Sequence, residues 1–148
     1  MDASAIKQDP IDAQRAYAEV IASARTKPFA WGEHDCATFS CAAVLAMNGR
    51  DLLNDAKLIG KDGRVKWSDA KSAAKKIKAI GGLREALTEL LGDPVPVMLA
   101  RTGDVCLVMD DAHAEMMALV HGTVILAAAT YGLAVLPLSA AVVVWSTQ

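Results

Sequence analysis

After Glu115 the sequence contains no Asp, Glu, Lys or Arg. An uncharged run of 33 residues leaves few options for the end of the chain. A continuous apolar helix of about 20 residues would span a membrane. Here Gly122, Thr123, Thr130, Gly132, Pro137 and Ser139 cut the run into pieces of strand length, which predicts a sheet instead. A charge-free run of this length is unusual on the exposed side of a lone soluble domain. It leads us to expect that another protein covers some of this surface.

The chain before this run reads as helices. Asp9-Pro10 opens the first, with proline at the first helical position. Ala13, Tyr17, Val20, Ile21 and Ala24 give it an apolar stripe, and Lys27-Pro28 stops it. Further helices are predicted over 35–48, over 68–80 starting on Ser68, and over 82–91, which carries Leu83, Leu87, Leu90 and Leu91. The segment from Gly92 to Pro96 is a stiff linker. Strands are predicted over 103–109, 116–121, 124–129 and 133–136, with a turn at Asp110 to His113 and a hairpin at Gly122-Thr123. Residues 140–145 close the chain as a short helix or strand. Helices followed by a mostly antiparallel sheet is the α+β order. A length of 148 residues suits a single domain over 1–148. It divides into a tail at 1–9, a helical half at 10–92 and a sheet half at 103–148. A hydrophobic content of 53% argues against disorder.

The stretch from Pro28 to Gly49 carries the chemistry. Asp35 is a good N-cap, because its carboxylate accepts the first free N–H groups of a helix. Cys36 follows at the helix start, where those groups and the helix dipole favour an anion, a placement expected to lower a thiol pKa. Apolar residues dominate after it, as in a helix buried nearly all round. Asn48-Gly49 ends it. Cys36, Cys41 and Cys106 make no even disulfide set, so reduced thiols are expected.

The pattern Pro28-Phe29-x-Trp31-Gly32-x-x-Asp35-Cys36 resembles the nucleophile segment of the NlpC-type cysteine peptidases. These enzymes cut bacterial cell-wall peptides on a papain-like fold. It is more similar still to a group of small proteins encoded in tail-assembly regions of tailed phages. With Gly103-Asp104 at the start of a strand, the resemblance covers about residues 10 to 145. It implies a single NlpC-like domain, with N-terminal helices packed on a mostly antiparallel sheet.

A cysteine peptidase needs a thiolate, a histidine to take and return the proton, and a polar group to orient that histidine. In the NlpC-type enzymes the Gly-Asp strand is followed by one that begins with the histidine. Met116 falls at that place here. The following strand, Val124 to Ala129, offers no polar side chain to orient a base. Phe29 stands where the family has tyrosine. His113, in the turn, and His121, five residues past Met116, are the candidate bases if the chain is active. Odd spacing puts His121 on the strand face opposite Met116. His34 is two residues before Cys36. The spacing of His34, Cys36, Cys41, His113 and His121 matches no common zinc pattern, so no metal or cofactor is expected.

The net charge of −2 does not point to nucleic acid or an anionic membrane as the main partner. The segment from Lys57 to Arg84 is nonetheless basic, with nine Lys and Arg against Asp62 and Asp69. It lacks the interleaved aromatics of a single-strand binder. Met1 to Ile6 has neither a basic flank nor an apolar run of signal-peptide length. The resemblance then implies a structural component of a siphophage-like tail tip, a pseudoenzyme related to cell-wall peptidases. Such a protein is synthesised in the bacterial host cytoplasm, located in the virion tail, and partnered by hub and distal tail proteins. The other reading is an active peptidoglycan endopeptidase that uses Cys36 during DNA entry.

Overall fold

The computed structural model describes residues 9–148; the tail expected over 1–9 lies, but for Asp9, outside them. Helix α1 (Pro10–Ala24) starts where Asp9 Oδ1 accepts from Ile11 N at 2.8 Å. Its buried residues Ala13, Tyr17, Ile21 and Ala24 recur at helical spacing. Helix α2 (Cys36–Asn48) buries Phe39, Cys41, Ala43 and Val44 and ends at Gly49 in the left-handed region. A short helix α3 (Leu52–Asp55) follows, missed in the sequence because it makes a single turn, capped by Asp51. Helix α4 (Ala70–Ala79) begins two residues later than the predicted start on Ser68. Asp69 is the N-cap, and it accepts from Ser72 N at 2.7 Å. Helix α5 (Leu83–Leu91) buries Ala86 and Leu87.

The second half is an antiparallel sheet of five strands: β1 (Val105–Met109), β2 (Glu115–His121), β3 (Val124–Ala128), β4 (Leu133–Pro137) and β5 (Val143–Trp145). Their order is β4-β3-β2-β1-β5. The chain end left open as helix or strand is therefore a strand, paired to β1 through Val105↔Trp145 and Leu107↔Val143. The fold is α+β, as the order of patterns predicts.

Alternation along the strands feeds two cores. On the helix side, Val105, Leu107, Met117 and Trp145 pack with Cys41, Val44 and Leu87. Leu119 and Leu126 continue that face against Tyr17, Ile21 and Phe39. On the other side, Cys106, Val108, Ala118, Val120, Ile125, Ala127 and Val144 form a second buried layer. The chain covers that layer itself, with Val95, Val97 and Ala100 from one segment and Leu136, Leu138, Ala140 and Ala141 from another. The absence of charge on β2 and β3 beyond Glu115 has an intramolecular cause: these central strands are largely buried on both faces, where a charge would be desolvated without a partner. Met98, Leu99 and Val142 are the large apolar side chains left exposed around this layer. Among the described residues, no helix is long and apolar enough to cross a membrane.

Asp104 ties the halves together. Its Oδ2 accepts from Arg101 N at 2.8 Å and its Oδ1 from Thr147 N at 3.1 Å. Thr147 Oγ1 donates to Gly103 O, and Asn48 Nδ2 at the end of α2 donates to Thr147 O. The last residues of the chain are thereby held against the end of α2.

Candidate functional site around Cys36

Asp35 is buried and saturated. Oδ1 accepts from Thr38 N at 2.9 Å and from Thr38 Oγ1 at 3.0 Å, while Thr38 Oγ1 takes a bond from Asp35 N in return. This reciprocal pairing is a capping box. Oδ2 accepts from Gly32 N and from the indole Nε1 of Trp67, both at 2.7 Å. One carboxylate therefore starts α2, closes the turn before it and pins a tryptophan 32 residues downstream. The turn admits no side chain at Gly32: φ is +83°, and a Cβ there would stand 2.6 Å from Trp67 O.

Cys36 lies at the start of α2, as the capping signal predicts, but its environment differs from the expectation. Burial, and then the negative charge of Asp35, raise its pKa. Backbone N–H groups of Met117, Ala37 and Cys36 itself act in the opposite sense without prevailing. The helix-start contribution is present, and desolvation is larger.

The thiol lines an apolar cavity of about 70 Å³ together with Trp31, Cys41, Trp67, Ile77 and Met117. Most of the remaining wall comes from the chain between Leu52 and Leu90, with Ala73, Ile77 and Ile80 supplied by α4 and its end and Leu83, Leu87 and Leu90 by α5. The segment after α2 thus folds back over the cysteine.

The position facing the thiol from β2 is Met117, one residue later than the alignment by pattern suggests; Met116 packs on the opposite side of the sheet. His113 precedes Met117 by four residues and His121 follows it by four, so each is displaced along the strand direction. At about 3.3 Å per residue, His121 stands roughly 13 Å beyond Met117. It shares the α2-facing side with Met117 and is hydrogen-bonded through Nδ1 to Tyr17 Oη at 2.7 Å, with the two rings stacked. Burial pushes the Tyr17 phenol up to about 12. His113 sits exposed in the β1–β2 turn with φ +62°. His34 is buried, lies edge-on to Phe39, and its Nε2 donates to Gly132 O at 3.1 Å. Among the described residues, no imidazole is hydrogen-bonded to the Cys36 thiol. Nor does any group of three His, Cys, Asp or Glu side chains there have the geometry to hold a metal.

Sequence reasoning missed Trp67 and Gly132. Trp67 had no local signal, since its partner is distant in the chain. Gly132 carries a φ of +71°, receives His34 on its carbonyl and donates its N–H to Lys27 O at 2.7 Å.

The sequence profile described as Domain of unknown function (DUF6950) matches residues 11–147, nearly the whole chain. The chain belongs to the DUF6950 family. Within this DUF6950 chain the match runs from α1 to the pinned C-terminal residues, so it includes Cys36, its cap and the segment that folds over it. No curated protein and no solved structure matches the chain.

Proposed function

We propose that this chain is a structural, non-hydrolytic relative of the NlpC-type cysteine peptidases, on a papain-like arrangement of helices and sheet. Its place is the tail tip of a siphophage-like virion, beside hub and distal tail proteins, after synthesis in the bacterial host cytoplasm. One observation carries the loss of activity. The Cys36 thiol has a raised pKa and an apolar surround, while His34 and His121 are bonded to other groups and His113 lies in a turn four residues from Met117. Amide hydrolysis requires a base that also protonates the leaving amine, and a thiol in this setting lacks one. The tail assignment is supported by the segment from Pro28 to Cys36 and by the order of helices and strands.

Turbidity clearing of purified bacterial cell walls tests the first half. Wild type and Cys36→Ala are expected to give the same baseline; clearing that vanishes with Cys36→Ala overturns it. Co-expression with the hub and distal tail proteins tests the second half. A stable complex is expected, and a protein that remains apart from them in solution refutes the tail role.

The enzymatic reading retains one specific support. Three backbone N–H groups, from Met117, Ala37 and Cys36, favour negative charge at the sulfur. Under that reading Cys36 is the nucleophile of a peptidoglycan endopeptidase, with His113 or His121 brought in as base by a rearrangement of the β1–β2 turn or of β2. The clearing assay decides between the two readings.

A further inference from the structure

The charge of this chain is strongly divided. Residues 57–84 hold nine cationic and two anionic side chains, a net of +7, whereas the remainder holds six cations and fifteen anions, a net of −9. Among the described residues, the one ion pair in the basic span is Arg84 Nε to Glu115 Oε2 at 2.7 Å. The other cations of that span have no acidic partner within reach.

Two exposed helix faces concentrate this division. On α4, Lys71, Lys75 and Lys78 are all exposed, at the i, i+4, i+7 spacing of one face, while Ala73 and Ile77 of the same helix turn inward. On α5, Glu85 and Glu89 are exposed at i, i+4. Like charges at i, i+4 lie about 5–6 Å apart and destabilise their own helix. Lys78 in the last turn of α4 and Glu85 in the first turn of α5 are favoured by the helix dipole, so the repulsion within each stripe is offset at one end only. Beside Glu89, an open groove of about 400 Å³ has an apolar floor of Ile80, Ala86 and Leu90 and is edged by Asp55, with Lys57 at its side.

We infer that the lysine stripe of α4 docks on the α5 face and groove of a second copy of this chain. The stripes have opposite sign and the same axial repeat, so lysines of one copy fall against Glu85, Glu89 and Asp55 of the next. Because the two faces differ, the contact is head-to-tail and leaves one stripe of each kind free, which builds a ring or a linear chain of copies. The lysines are point charges on flexible stems, unlike the planar forks that select phosphate or carboxylate bidentately. No exposed aromatic lies among them, since Trp67 is buried. Those features favour an acidic protein face over a stacked nucleic-acid strand. The inference does not depend on the tail assignment or on the state of Cys36.

Sedimentation of the full chain at about 0.05 M and about 0.5 M salt tests it, because screening shortens the reach of exposed charges several-fold over that range. Association at low salt that weakens at least about tenfold at high salt is expected. Lys71→Glu with Lys75→Glu in one variant, and Glu85→Lys with Glu89→Lys in another, should each remain monomeric at low salt with unchanged circular dichroism. Mixing the two variants should restore association, because each reversed stripe then meets its complement. A wild type that stays monomeric at low salt overturns the inference. So does a mixture of folded variants that fails to associate. Binding of a duplex DNA fragment by monomeric wild type, lost on Lys71→Glu with Lys75→Glu, would assign the stripe to a polyanion instead. Cell-wall clearing by the wild type would leave this inference standing while removing the non-hydrolytic reading.

Discussion

The indole N–H of Trp67 donates to Asp35 Oδ2 at 2.7 Å, and both residues line the same cavity as Cys36. The carboxylate that caps α2 is thus also the anchor for the segment that covers the Cys36 thiol. Starting the helix and closing over the thiol are one interaction, so they should fail together.

Replacing Asp35 with Ala removes the acceptor for Thr38 N, Thr38 Oγ1, Gly32 N and Trp67 Nε1. Loss of an N-cap costs about 1 kcal/mol, and each buried donor left unpaired costs about 1–3 kcal/mol more. Urea unfolding should show Asp35→Ala destabilised by about 3 kcal/mol or more. Asp35→Asn should fall between it and wild type, because one amide face presents N–H groups to donors. A loss below about 1 kcal/mol for Asp35→Ala would refute the anchoring role.

Trp67→Phe keeps the ring and deletes its bond to Asp35. The segment over Cys36 should then open more often, and a disulfide-exchange reagent should label Cys36 faster than in wild type. In Cys41→Ala, Cys106→Ala background the wild-type labelling rate should also rise with pH along a curve whose midpoint lies above the ordinary thiol value of about 8.5. Burial and the Asp35 charge set that direction. A midpoint below the ordinary value would show that the helix start prevails and would revive Cys36 as a thiolate.

Alkali should destabilise the fold. Burial pushes Cys41 and Cys106 up to about 12, and Cys36 also moves up. Between the unfolded thiol value and about 12, the unfolded chain releases protons that the folded chain keeps, so stability is full below the unfolded value and falls as pH rises. Each fully buried thiol contributes a slope of about 1.4 kcal/mol per pH unit in that window. Chemical denaturation from about pH 8 to about pH 10 should show the decline, and Cys106→Ala should make it shallower by about that slope. A decline of unchanged steepness in Cys106→Ala would contradict the assignment.

Gly132→Ala should be severe. The position has φ +71°, and an added Cβ would stand 2.6 Å from Arg25 O, a backbone atom of the segment that ends α1. Strain of this kind costs more than the roughly 0.4–1 kcal/mol that alanine gains at a compatible site. A thermal midpoint lowered by several degrees is expected, together with exposure of His34, whose Nε2 bonds to Gly132 O. A midpoint equal to wild type would show that the turn can shift freely.

Much of this molecule was written locally in its sequence. The Asp9-Pro10 and Asp35-Cys36 starts, the Gly49 stop, the stripe on α1 and the strand-length pieces after Glu115 depend on neighbours a few residues away, and they fix the helices, the strands and the α+β class. The sequence also placed Cys36 on the first turn of a helix, because a cap is a short-range interaction. What the thiol would be was decided at long range. Trp67 reaches back across 32 residues to Asp35, and Met117 arrives from β2 in a register that a pattern misses by one. His121 is claimed by Tyr17, 104 residues earlier. Desolvation and hydrogen-bond partnership belong to the assembled neighbourhood, so the direction in which the Cys36 pKa moves and the placement of every histidine follow only from the tertiary structure.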